Sequence, residues 1–197
     1  MADGTALTKW ADPDFTADGT RRAAVGLKQL ETLWFNTGTL CNIECVNCYI
    51  ESSPTNDRLV YLTPEDVAPY LAEAKEMGTR EIGFTGGEPM MNKDIIRILE
   101  MTLEHGFETL VLTNAMKPLM RPRVQEGLLN LKERFGSQLT LRISLDHYSK
   151  ELHEKERGKD TYQPALDGMQ WLAENGFTLT AAGRTCWGED EAEARQG

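Results

Sequence analysis

Apolar residues run along this chain in two alternating rhythms, and glycine or proline marks most changes between them. Compact runs that suit buried strands occur at 33–36 (Leu-Trp-Phe-Asn), 81–84, 109–112, 139–144 (Leu-Thr-Leu-Arg-Ile-Ser) and 177–182. Between them lie stretches with apolar positions three or four residues apart, as on one face of a helix. The first starts at Thr63-Pro64-Glu65-Asp66, a hydroxyl cap with proline at the first helical position. Its apolar face runs through Val67, Leu71, Ala74 and Met77, Gly78 ends it, and Pro69 is expected to bend it near its first turn. A second helix, 92–105, carries Ile95, Ile98, Leu99 and Leu103 on one side and stops at Gly106. A third covers 122–135. A fourth begins near Pro164, runs through Leu166, Met169 and Leu172, and ends at Gly176.

Five strands separated by helices at this spacing predict repeated βαβ units, an α/β class and a parallel sheet. Right-handed crossovers then bring every strand's C-terminal end to one edge, where barrel and doubly wound folds bind ligands. The unusual residues all fall at that edge. The loop Cys41-x-x-x-Cys45-x-x-Cys48 follows strand one, and Thr85-Gly86-Gly87-Glu88-Pro89 follows strand two. Thr113-Asn114 follows strand three, Ser144-Leu145-Asp146 strand four and Arg184 strand five. Residues 1–30 are polar and weakly periodic and read as a loosely packed arm.

Composition adds bounds. The chain has 197 residues, 40% hydrophobic and 26% charged, enough for one ordinary core. It has no apolar run of about 18 residues, so no membrane helix is expected. The first thirty residues lack an apolar core followed by a small-residue cleavage site, so no secretory signal is expected and the cytoplasm is the sensible address. Cysteines there stay reduced and serve as metal ligands rather than disulfides. The formal charge of −10 weighs against a nucleic-acid partner. Part of it sits in Glu189-Asp190-Glu191 and Glu193, a solvated acidic end.

The candidate chemistry centres on the cysteines. Cys41, Cys45 and Cys48 supply three thiolates within eight residues, one fewer than a closed metal site needs. Two readings stay open on spacing alone. One is a metal centre with a corner left for another ligand. The other is a zinc site completed by Cys186 or a histidine. Cys186 by itself reads most simply as a buried thiol. Gly86 and Gly87 permit close backbone approach and positive φ, although a plain turn explains them too. No G-x-G-x-x-G and no G-K-[ST] occurs, so nucleotide loops drop out. His153-Glu154-Lys155-Glu156-Arg157 lacks the second histidine of a zinc-protease helix. His105 sits at a helix end, where a cation is favourable.

C-x-x-x-C-x-x-C after a first strand, with G-G-E-P after a second, resembles the radical S-adenosylmethionine (radical SAM) enzymes over about residues 32–183. The resemblance implies a partial (β/α)6, TIM-like barrel of parallel strands with about five βα units present. It implies an arm at 1–30, a radical SAM core at 31–184, and at 185–197 an acidic tail that begins a missing sixth unit. Cys41, Cys45 and Cys48 are then the ligands of a [4Fe-4S] cluster whose fourth iron binds the methionine end of S-adenosylmethionine. The implied activity is reductive cleavage of S-adenosylmethionine and hydrogen abstraction from a substrate. Gly86, Gly87 and Glu88 are implied at the methionine amino group. Asn114 and Ser144 are implied at the ribose hydroxyls or the carboxylate.

Asn47 stands where relatives often carry an aromatic residue, and it offers a hydrogen bond to the adenine instead. His153 and Arg157-Gly158 resemble an H-x-x-x-R-G stretch, with Arg157 either holding the loop or pairing with a cofactor carboxylate. Lys117, Asp146 and Arg184 are nominated to face the substrate. Implied partners are a peptide or small-metabolite substrate and an electron donor such as flavodoxin or ferredoxin. The alternatives are a non-catalytic zinc or iron–sulfur module, or an inactive fragment of a longer protein.

Overall fold

A computed structural model describes residues 11–184 together with 188, 192 and 195. The strands are β1 (Thr32–Asn36), β2 (Glu81–Thr85), β3 (Glu108–Thr113), β4 (Leu139–Ser144) and β5 (Thr178–Ala182). They form one sheet in the order β1-β2-β3-β4-β5, with every pair parallel. Strand order equal to chain order means that each right-handed crossover steps the same way, so the helices gather on one face. That is the winding of a barrel wall rather than of a doubly wound sheet, whose order reverses at a switch point.

The helices are α1 (Pro64–Glu76), α2 (Ile95–Glu104), α3 (Pro122–Phe135), α4 (Lys150–Arg157) and α5 (Tyr162–Glu174). Side chains alternate across a strand, so each register row belongs to one face. The row Phe35, Phe84, Val111 and Leu141 packs with Val67 and Leu71 of α1, Ile98 and Leu99 of α2, Leu128 and Leu131 of α3 and Leu172 of α5 in one core. The next row, Trp34, Gly83, Leu110 and Thr140, lies on the opposite face. Trp34 lies across Gly83 there and stays 44% exposed: a β-carbon on Gly83 would come within 2.4 Å of the indole.

Most predicted elements appear within a residue or two, and α1 runs unbroken through Pro69. Helix α2 starts three residues later than its apolar pattern suggests. Pro89–Met91 forms a 3-10 turn, and the Asn92 side chain turns the chain by accepting from Asp94 N at 2.9 Å while donating to Leu62 O at 2.8 Å. Helix α4 was not predicted, because only His153 and Glu156 of its eight residues are buried and no apolar face marks it. In the expected arm, residues 11–30 hold one turn closed by a Phe15–Arg21 bridge, with Val25 and Leu27 exposed. The remainder of the arm, Cys186 and most of the acidic tail lie outside the described residues. Among the described residues no helix is long and apolar enough to cross a membrane.

Thr63 caps α1 as expected. Its hydroxyl accepts from Asp66 N at 3.3 Å, and the Asp66 carboxylate accepts from Thr63 N at 2.8 Å. Loss of such a cap costs about 1 kcal/mol. Thr63→Ala should therefore lower the free energy of unfolding by about 1 kcal/mol, read as a lower urea midpoint at an unchanged slope, whereas an unshifted midpoint would show the cap to be idle.

Candidate functional site

A cavity of about 340 Å³ opens at the C-terminal edge of the sheet. Cys41, Cys45, Asn47 and Cys48 reach it from the loop after β1, Thr85 from the end of β2, and Gly86 and Gly87 from the loop that follows. Thr113 ends β3 and Asn114 follows it, Ser144 and Asp146 belong to the end of β4 and its loop, Gly183 and Arg184 follow β5, and Arg157 comes from α4. Of the predicted cluster- and cofactor-binding residues, Glu88 alone is absent from this lining.

The first two loops are joined backbone to backbone. Thr37 N donates to Thr85 O at 2.8 Å, Gly87 N to Gly38 O at 2.8 Å and Glu88 N to Leu40 O at 3.1 Å, so pairing continues past the strand ends into the residues before Cys41. Side chains at 86 and 87 would break this. Gly86 has φ +141°, and a β-carbon on Gly87 would lie 2.1 Å from Leu40 O. The neighbouring backbone, rather than a ligand alone, requires both glycines.

Glu88 is 1% exposed and faces inward from behind the cavity wall. Its carboxylate accepts from Met90 N at 3.1 Å, Thr113 Oγ1 at 2.7 Å and Asn114 N at 2.8 Å. The carboxylate thereby ties the loop after β2 to the end of β3. Burial raises its pKa, opposed by those hydrogen bonds and the Arg157 charge.

Asn114 faces the cysteine loop. Its Nδ2 donates to Asn42 Oδ1 at 2.9 Å and approaches Cys41 Sγ at 4.0 Å, while its Oδ1 accepts from Met116 N at 3.0 Å. Ser52 N donates to Cys48 Sγ at 3.2 Å. Burial pushes the Cys41 thiol up to about 12, and the nearby Glu88 and the other two thiols add to the rise. Burial also raises Cys45, with Arg157 and Arg184 pulling the other way.

A buried ionic network closes the far side. Glu156, 1% exposed, accepts from Asn47 N at 3.0 Å and from Asn47 Nδ2 at 2.8 Å, and its own carbonyl accepts from Val46 N at 2.8 Å. Arg184 pairs with Glu156 at 2.5 Å and with Asp146 Oδ2 at 2.6 Å. Arg157 Nε lies 2.6 Å from Asp146 Oδ2, an ion pair outside hydrogen-bond geometry, and its Nη1 donates to Cys45 Sγ at 3.9 Å. Desolvation works against the Asp146 anion, but the Arg184 hydrogen bonds and the Arg157 charge outweigh it and hold the carboxyl below the usual aspartate range.

Asp146 and Arg184 were expected to face substrate. Both line the cavity with their charged ends in this network, and Lys117 is exposed outside the lining. His153 is fully buried against the Tyr162 ring, with both ring nitrogens lacking a hydrogen-bond partner, and burial followed by the Arg157 charge lowers its pKa. His105 is the C-cap of α2. Sequence reasoning missed Asn42, Ser52 and Glu156. Their only sequence signal was proximity to the cysteines, or to Arg157, in the chain. Among the described residues no three His, Cys, Asp or Glu donors converge as the ligands of one ion.

Comparison with known proteins agrees with this geometry. Residues 35–190 match the family model described as the radical SAM superfamily. The chain is 27% identical over 133 residues to a probable GTP 3′,8-cyclase of Methanocaldococcus jannaschii, covering 65% of this chain and 40% of that protein. It is 25% identical over 146 residues to the probable GTP 3′,8-cyclase of Saccharolobus solfataricus, covering 73% of this chain and 44% of that protein. The chain thus spans less than half the length of these relatives. Among solved structures, Streptococcus suis SuiB bound to S-adenosylmethionine superposes with TM-score 0.69 at 20% identity, over 85% of this chain and 36% of that one. Methylornithine synthase (PylB) superposes with TM-score 0.65 at 19% identity, over 84% of this chain and 47% of that one. With the family model matched over most of its length, the chain belongs to the radical SAM superfamily, whose members use a [4Fe-4S] cluster and S-adenosylmethionine.

Proposed function

We propose that this chain holds a [4Fe-4S] cluster on Cys41, Cys45 and Cys48 and seats S-adenosylmethionine in the adjoining cavity, as the core of a radical SAM enzyme. One observation carries the reading. Three thiols of a single loop open into the same cavity as Gly86, Gly87, Asn114 and Ser144. The donor set fits the group, because three thiolates serve three irons and leave the fourth for a small chelating ligand. The cavity is also within the range of small-ligand sites. When bound, the cluster and S-adenosylmethionine supply one-electron cleavage of the sulfonium and the hydrogen-abstracting chemistry that follows.

The chain's own residues orient and enclose. Gly86 and Gly87 keep the wall beside the cysteine loop thin. Asn114, with both ends of its amide engaged, holds the Asn42–Cys41 segment. Asn47 has its Nδ2 committed to Glu156, which leaves Oδ1 to accept from the adenine amino group. Ser144, which lines the same cavity, is the proposed contact to the ribose or the carboxylate. Glu88 supports these groups from behind.

A peptide or small metabolite is the proposed substrate, and an external one-electron carrier such as flavodoxin or ferredoxin the proposed reductant. The cytoplasm, where thiols stay reduced, is the proposed location. The relatives are named for a GTP cyclase, and a SuiB structure holds a precursor peptide, so the shared core is compatible with either substrate class.

Anaerobic reconstitution with iron and sulfide should give a brown protein with about four irons per chain and a reduced-state signal that S-adenosylmethionine alters. Cys45→Ala should lose the cluster and any formation of 5′-deoxyadenosine under dithionite. A colourless chain holding one tightly bound zinc would overturn the reading. Full iron loading without 5′-deoxyadenosine would restrict this chain to cluster binding.

A further inference from the structure

The three thiols sit in unequal electrostatic surroundings. Beside Cys41 is a neutral amide, Asn114 Nδ2 at 4.0 Å, and Cys48 accepts from a neutral backbone N–H, Ser52 N at 3.2 Å. Cys45 instead accepts from a guanidinium, Arg157 Nη1 at 3.9 Å. The Arg157 side chain is only 12% exposed, so its charge is weakly screened. It is also held in place, with Nε 2.6 Å from Asp146 Oδ2, and Asp146 is fixed in turn by Arg184. Arginine suits such a place because it stays protonated, and its planar fork can serve a carboxylate with one edge and a second acceptor with the other.

We propose that Arg157 tunes the iron bound at Cys45: its guanidinium, oriented by Asp146, donates to the cysteine sulfur and raises the reduction potential of the cluster. The inference rests on the cluster reading above. Reduction adds one negative charge to the iron–sulfur unit. A fixed cation beside one ligand therefore stabilises the reduced form more than the oxidised form. Hydrogen bonds to sulfur and local net charge are the levers by which proteins set such potentials, and burial enlarges the effect by lowering the local dielectric. Arg157 is thus a positioning and tuning residue, placed so that an external donor can load the cluster before S-adenosylmethionine is cleaved.

The test is an anaerobic redox titration of the reconstituted cluster without S-adenosylmethionine, followed by EPR, on the unaltered chain and on Arg157→Met, Arg157→Gln and Arg157→Lys. Iron content and S-adenosylmethionine affinity are measured in parallel. The neutral variants are expected to keep their iron and to lower the reduced-to-oxidised ratio at fixed potential about tenfold, a midpoint more negative by about 59 mV for one electron. The lysine variant should recover part of the shift because it keeps the charge. Loaded neutral variants with an unchanged midpoint overturn the proposal, and a weaker S-adenosylmethionine affinity in them would then assign Arg157 to the cofactor's carboxylate. Iron lost from both neutral variants but kept by the lysine variant would assign Arg157 to loop assembly and overturn the tuning role. If the unaltered chain itself loads no cluster, the cluster reading fails first and this inference with it.

Discussion

Asp146→Ala is expected to destabilise the fold by about 3 kcal/mol, the lower end of the cost of removing one partner from a buried ion pair. The Asp146 side chain is fully buried between Arg157 and Arg184, whose side chains are 12% and 31% exposed. Its removal leaves two guanidinium groups short of their shared counter-charge, and the partial exposure of Arg184 keeps the loss from being larger. The same residue makes stability depend on pH. Its folded pKa lies below its unfolded one, so its contribution is fully present above the ordinary aspartate value of about 4. It is lost as pH falls through the folded pKa. Urea unfolding between neutral and acidic pH should show the unaltered chain losing stability relative to Asp146→Asn as pH drops below about 4. Equal stability of the alanine variant and the parent at pH 7 would show that the network contributes nothing net.

Gly87→Ala should be the most damaging of the small substitutions. The added carbon would sit 2.1 Å from Leu40 O, which is backbone and cannot rotate away. Overpacking costs about 1–3 kcal/mol and sometimes more, and a carbonyl approached this closely belongs at or above that upper end. The loop after β2 must then part from the residues leading into Cys41, so iron loading should fall along with the urea midpoint. Gly78→Ala is the control. Gly78 has φ +74° with no atom within 4 Å of the added carbon, so it bears only left-handed backbone strain of roughly 1–2 kcal/mol and should load iron normally. Similar losses in the two variants would show that the contact with Leu40 is unimportant.

The strands and four of the helices were legible because each has its own apolar rhythm and its own stop signal. Thr63 with Pro64, and Gly78, Gly106 and Gly176, delimit elements through local backbone energetics that need no neighbour. Helix α4 was not legible. Its buried residues are His153 and Glu156, chosen for what lies against them rather than for hydrophobicity. Glu88 shows the same limit. Beside two glycines its charge suggested a ligand contact, and only the arrival of Thr113 and Asn114 from another strand shows which groups use it.

By itself, the sequence determined the class of fold, the run of parallel strands and the three thiols with their glycine loop. Those features are encoded over a few residues, as periodicity, caps and ligand spacing. Only the tertiary structure decided which polar side chains face the cavity and which support it from behind. Glu156 lies 109 positions from Asn47, and Arg157 lies 112 from Cys45. A charge is placed by whatever opposite charge the fold brings against it, and no local pattern records that distance. Chain-order winding of the sheet brings these pairs together, so the three cysteines mark the site, and the residues that hold it come from the far side of the sheet.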